Sequence, residues 1–196
     1  MSRHGVFAYG SLAHPRTIRQ LGGDYLVADL VGWRRAWTVC TDNTDRSRAV
    51  AYFEPGTDTR IDGQVLFLNL VPDTASTVRG VVLLVHAGAL ADLDAREGNY
   101  DRVDVTSSVD LPDPRRPDVV WAYVGKDTAV RQAGRGLGRG SAVIWRPYLD
   151  RLRDAFAQHD LLEIFQREPL PPDVPVVELD RRVRGEPADP YADPPR

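Results

Sequence analysis

Short apolar runs rich in β-branched and aromatic residues set the limits on what this chain can fold into. They fall at 5–9, about 30–39, 49–54, 63–70, 78–86, 100–109 and 118–124, and each has the length and composition of a β-strand. Helical spacing occurs only at about 14–21, 87–97 and 146–159. Strands outnumber helices and do not alternate with them, which favours an antiparallel α+β fold or a small barrel over a doubly wound sheet. The 196 residues suit one domain with a core of its own. The clearest helix is 146–159, where Pro147 fits the first turn and Tyr148, Leu149, Leu152, Ala155 and Phe156 share one broad face.

Two stretches read as punctuation. Residues 110–118, DLPDPRRPD, form a proline-rich loop joining two strands as a long hairpin, and 133–142, AGRGLGRGSA, reads as a mobile glycine-rich loop. From about Gln166 the texture changes, and eight of the fifteen prolines follow. The expected division is a domain over 1–165 and a proline-rich C-terminal tail or surface wrap over 166–196. PVVEL is the tail's docking candidate, and its last ten residues are expected to be disordered.

Charge and composition exclude several classes of function. A formal net charge of −3 with no basic run argues against nucleic acid as a partner. The longest apolar runs are too short to span a membrane, and the first residues lack the pattern of a signal peptide. A cytoplasmic location is therefore expected, with no membrane partner; no feature sets an oligomeric state. Cys40 stands alone, without a disulfide or thiolate metal site, and is expected to sit as a small apolar residue in or beside a strand. His4, His14, His86 and His159 have no ligand spacing, so neither a metal nor another cofactor is expected. The glycine-rich stretch at 133–142 lacks the GK[ST] of a phosphate-binding loop.

The chemistry gathers in two places. In GVFAYGSLAHP (5–15) an apolar strand runs into a Tyr-Gly-Ser turn, and His14-Pro15 opens a helix. Such a turn either simply ends a strand or holds its backbone N–H groups open for a ligand. Ser11 lacks the flanking glycines of a nucleophile elbow. In ALADLDAREGNYDRVDV (89–105), at about 100° per residue, Leu90, Leu93 and Glu97 lie within roughly 60° of one another. Glu97 is thus a carboxylate aimed inward at a helix C-terminus, with Gly98 suited to a left-handed cap. Burial and the negative end of the helix dipole both disfavour its ionised form, a tuning that general acid–base catalysis requires. The other reading is that Glu97 pairs with Arg102 or another arginine at the helix end.

Taken together, FAYGSL and LDAREGNYDRVDV resemble the γ-glutamyl cyclotransferase family. The likeness extends through DLVGWRRAW, VRGVVLLVHAGALADLDAREG, VVWAYV and WRPYLDRLRDAFAQHDL, covering roughly 5–162. It implies an α+β fold with a small twisted, mixed or antiparallel β-barrel, a few flanking helices and a pocket at one end. It also implies that Tyr9, Gly10, Ser11 and Leu12 bind the γ-glutamyl group, that Glu97 is the acid–base catalyst, and that Tyr100, Tyr123 and Tyr148 line the pocket. The implied reaction is metal-independent, with a small γ-glutamyl compound as substrate and 5-oxoproline as product. A non-catalytic small-metabolite-binding module on the same fold is the alternative.

Overall fold

The computed structural model describes residues 3–185. In chain order the elements are β1 (His4–Ala8), α1 (Pro15–Gln20), β2 (Tyr25–Asp42), β3 (Val50–Phe53), β4 (Gln64–Val85), α2 (Ala87–Arg96), β5 (Tyr100–Asp104), β6 (Val109–Asp110), β7 (Val119–Gly125), α3 (Asp127–Arg139), β8 (Ala142–Trp145), α4 (Arg146–Ala157), α5 (Leu162–Gln166), β9 (Val176–Val177) and β10 (Asp180–Val183). Short 3-10 turns at Ser11–Ala13 and Thr106–Ser108 complete the set.

An eight-stranded mixed sheet, ordered β5-β7-β1-β4-β2-β6 with β8 and β9 branching from β4, curls into a half-barrel. Its spine is β4. The runs at 63–70 and 78–86, expected as two strands, are one continuous strand of 22 residues. Its C-terminal half pairs with β1, its first residues pair in parallel with β8, and β2 follows it almost end to end. Pro72 is tolerated because it faces Trp33 where the β2–β4 register shifts, and at a bulge the ladder hydrogen bond is already lost.

The helices close the open side. Pro147 lies in the first turn of α4, and Tyr148, Leu149, Leu152, Ala155 and Phe156 are its buried face, as the spacing predicts. The glycine-rich stretch is not a mobile loop: most of it forms the C-terminal turns of α3. Its buried residues, Ala129, Ala133 and Gly136, follow i, i+4, i+7 spacing and let the helix lie close to the sheet. A Cβ at Gly136 would stand 2.5 Å from Gln64 Oε1. Gly140, at φ +67, ends the helix in the left-handed conformation. Cys40 lies buried in β2 with its Sγ 3.6 Å from the Ala129 carbonyl, and burial pushes the thiol up to about 12.

The C-terminal segment is built into the body. β9 pairs with β8, β10 pairs with β3, and Trp145 Nε1 donates to the Leu179 carbonyl at 2.9 Å. Residues 186–196, which include the stretch expected to be disordered, lie outside the described residues. Among the described residues no helix is long and apolar enough to cross a membrane.

Candidate active site

The end of β1 delivers Tyr9 into the core. Its hydroxyl donates to the Tyr123 carbonyl at 2.6 Å, and burial holds the phenol well above its ordinary pKa. The next residues turn at once: Ala13 N donates to the Gly10 carbonyl, and no side chain caps the 3-10 turn Ser11–Ala13. His14 then caps α1, its Nδ1 accepting from Arg16 N, with Pro15 in the first helical turn. The turn is anchored from behind by Arg35, whose Nε donates to the Tyr9 carbonyl at 2.8 Å.

Glu97 is the C-terminal cap of α2, with a largely buried side chain. Gly98 does not adopt positive φ; instead the chain closes through Tyr100 N donating to the Glu97 carbonyl at 2.8 Å. Burial raises the Glu97 pKa, and the neighbouring Arg96 guanidinium, 3.4 Å from Oε1, opposes the rise. Arg102, a sequence candidate for pairing with Glu97, pairs with Asp94 at 3.5 Å and stacks on Trp121. The carboxylate is therefore shifted by burial and only partly compensated by an adjacent arginine.

Two connected spaces meet at this carboxylate. A recess of about 30 Å³ is lined by Ala8 to Leu12, Leu68, Glu97, Tyr100, Tyr123 and Tyr148. All eight residues singled out from the sequence therefore line one cavity. An outer cleft of about 410 Å³ shares Ser11, Glu97, Tyr100 and Tyr148 with it. The Leu68 peptide group orients two of these tyrosines: its carbonyl accepts from Tyr100 at 2.8 Å, and its N–H donates to Tyr148 at 3.3 Å. Tyr123 is directed elsewhere, its hydroxyl donating to Asp94 Oδ1 at 2.8 Å, and burial raises its pKa.

Sequence reasoning missed most of the outer cleft. Tyr52 and Trp145 meet edge to face at 5.3 Å, and Phe67 meets Tyr148 likewise at 4.8 Å. Arg48 enters from the loop after β2, where its Nη1 donates to Asn99 Oδ1 at 2.7 Å. Arg181 enters from β10. The only available signal for Asn99 was its place between Glu97 and Tyr100; for Arg48 and Arg181 there was none. Arg135 and Arg139 are exposed on α3 and do not line the cleft.

The curled half-barrel with few flanking helices matches the fold of solved γ-glutamyl cyclotransferases. A solved γ-glutamyl cyclotransferase aligns over 90% of this chain and 94% of its own, with a TM-score of 0.54 at 17% identity. A yeast γ-glutamyl cyclotransferase specific to glutathione aligns over 85% and 97%, with a TM-score of 0.52 at 15% identity. An uncharacterised human protein aligns over 87% and 90%, with a TM-score of 0.54 at 14% identity. No curated protein sequence matches the chain. The family model "Gamma-glutamyl cyclotransferase, AIG2-like" matches residues 6–141, and the chain belongs to that family.

Proposed function

We propose that the protein is a γ-glutamyl cyclotransferase, releasing 5-oxoproline from a small γ-glutamyl compound. The observation that carries this reading is Glu97: a buried carboxylate of raised pKa where a narrow recess meets a wider cleft, beside the Tyr-Gly-Ser turn.

A γ-glutamyl amide contains its own nucleophile. Its α-amine lies one five-membered ring closure from the γ-carbonyl, so the enzyme needs chiefly to fold the substrate and move protons. In this reading the recess takes the γ-glutamyl group, with the Ser11 and Leu12 N–H groups facing its carboxylate or the developing oxyanion. Glu97 accepts a proton from the α-ammonium, and the freed nitrogen adds to the γ-carbon. The tetrahedral centre then collapses and the bond to the leaving nitrogen breaks; Glu97 returns the first proton to that nitrogen and relays the second, shed by the ring nitrogen as it becomes the lactam N–H, so the amine departs as its ammonium. The products are 5-oxoproline and a free amine or amino acid, with no net change in protons or oxidation state. Tyr100 and Tyr148, fixed by Leu68, frame the reacting carbonyl.

The test is 5-oxoproline release from a panel of γ-glutamyl amino acids, glutathione and γ-glutamyl amines, using wild type beside Glu97→Gln. Release that is lost in the variant supports the reading. A folded wild type that binds 5-oxoproline but releases none from any substrate would make the protein a binding module instead.

A further inference from the structure

The Tyr-Gly-Ser turn lines the recess from Tyr9 to Leu12, yet the side chains that hold its backbone stand outside that space. Two carbonyls bracket the turn. The Tyr9 carbonyl at its start accepts from Arg35 Nε at 2.8 Å, and the Ala13 carbonyl at its end bonds His159 Nε2, also at 2.8 Å. A carbonyl only accepts, so Nε2 of His159 carries the proton in this bond. Neither Arg35 nor His159 lines the recess or the outer cleft.

Between the brackets, the turn's own bonds run from Ala13 N to the Gly10 carbonyl and from His14 N to the Ser11 carbonyl. In a trans peptide the N–H points opposite to the C=O of the same unit. Fixing the Tyr9, Gly10 and Ser11 carbonyls therefore sets the directions of the Gly10, Ser11 and Leu12 N–H groups, and these three residues all line the recess.

The two arms share a support. The Arg35 guanidinium lies 4.8 Å over the ring of the buried Phe156, and the Phe156 carbonyl accepts from His159 N at 3.2 Å. Phe156 in turn stacks on Phe165 at 4.7 Å. Glu168 pairs with Arg35, and Tyr25 meets the His159 ring edge to face at 4.6 Å. Phe156, His159, Phe165 and Glu168 all follow the family-matched span 6–141. Buried donors on buried carbonyls would serve folding alone, but here both arms converge on the one turn that lines the recess.

We propose, building on the cyclotransferase reading, that Arg35 and His159 are positioning residues. Together they clamp the Tyr9 and Ala13 carbonyls so that Gly10, Ser11 and Leu12 present their N–H groups to the substrate. The segment after the family-matched span supplies one arm and the support of the other. Neither residue touches the substrate; each acts through the backbone of the turn.

Two substitutions remove a contact and one keeps it. Arg35→Lys retains a charge facing Glu168, but an ammonium lacks the guanidinium fork that reaches the Tyr9 carbonyl at the same time. His159→Leu removes the donor to Ala13, whereas His159→Gln retains one in its side-chain amide. Gly136→Ala, which crowds Gln64 beneath α3, is the control for lost stability alone. Below the melting temperature of each protein, kcat/KM for 5-oxoproline release falls about 10–100-fold in Arg35→Lys and His159→Leu, the scale of a small misplacement in an active site. His159→Gln and Gly136→Ala stay within about twofold of wild type. Amide nitrogen relaxation by NMR reads the clamp without turnover: order at Gly10–Ala13 falls in the two contact-removing variants and is kept in the other two. A turn as ordered in Arg35→Lys and His159→Leu as in wild type overturns the proposal, and so does a kcat/KM that merely tracks stability across the four variants. A wild type that releases no 5-oxoproline refutes the cyclotransferase reading instead, and relaxation of the turn then decides the clamp by itself.

Discussion

Arg35 and Glu168 form an ion pair at 2.5 Å, with the Arg35 side chain only 1% exposed. The same guanidinium donates to the carbonyls of Tyr9 and Arg79. One side chain thus joins the C-terminal segment, the sheet and the residue preceding the Gly10–Leu12 turn. Burial lowers the Arg35 pKa, and the Glu168 carboxylate beside it opposes that shift.

Replacing Arg35 by Leu leaves the buried Tyr9 carbonyl and the part-buried Arg79 carbonyl without this donor, and Glu168 without its partner. Loss of a buried ion-pair partner costs about 3–5 kcal/mol. Glu168→Gln costs less, about 1–2 kcal/mol, because Glu168 is partly solvated and its amide oxygen still accepts. Urea denaturation of the two variants measures both losses and their order.

Glu97→Gln removes a carboxylate that folding holds above its ordinary pKa. The folded protein retains that proton where the unfolded chain has released it, so wild-type stability falls as pH rises from the ordinary glutamate range through the raised value. The variant escapes this penalty. Its Tm at neutral pH equals or exceeds that of wild type, and the advantage disappears in acid, where both states hold the proton. Turnover falls by about 10²–10⁴-fold, the range of general acid–base contributions. Thermal melts across pH, with a release assay beside them, check both halves.

Arg96 opposes the upward shift of Glu97. Arg96→Gln therefore raises the Glu97 pKa further. If Glu97 must start ionised to accept the ammonium proton, the acid limb of the kcat/KM profile moves to higher pH in the variant. A limb that stays in place would assign the titration to another group.

Two glycines of α3 give opposite results. Gly134 has open space where a Cβ would stand, and Gly134→Ala stabilises by about 0.5–1 kcal/mol through helix propensity. Gly136→Ala drives a methyl against the buried Gln64, which already bonds Asp42 and Ser141, and costs about 1–3 kcal/mol. Chemical denaturation of the pair separates packing from propensity.

Local periodicity made part of the recess legible, and the family resemblance supplied Tyr100, Tyr123 and Tyr148. The phase of Leu90, Leu93 and Glu97 directed the carboxylate inward, and Gly10, breaking the run at 5–9, marked the turn. It also gave the buried face of α4 residue by residue. What periodicity missed has specific causes. The glycines of α3 mimic a loop in composition, and what marks the helix is the spacing of its small buried residues. The runs at 63–70 and 78–86 look separate because Pro72 interrupts them, and only the bulge opposite Trp33 shows the strand continuing. Arg48, Arg181 and Glu168 owe their positions to contacts with distant segments, and nothing local in their surroundings announces those contacts.

β10 follows every other described strand in the chain, yet it carries a wall residue of the cleft, and Glu168 lies only a dozen residues earlier. During synthesis the Tyr-Gly-Ser turn and Glu97 are made while Arg35 still has no carboxylate to meet and the cleft stands open on one flank. A domain generally folds as a unit. A nascent chain therefore owns its carboxylate well before it owns a finished cleft, because the strand that completes the cleft is the last of the described strands to be made.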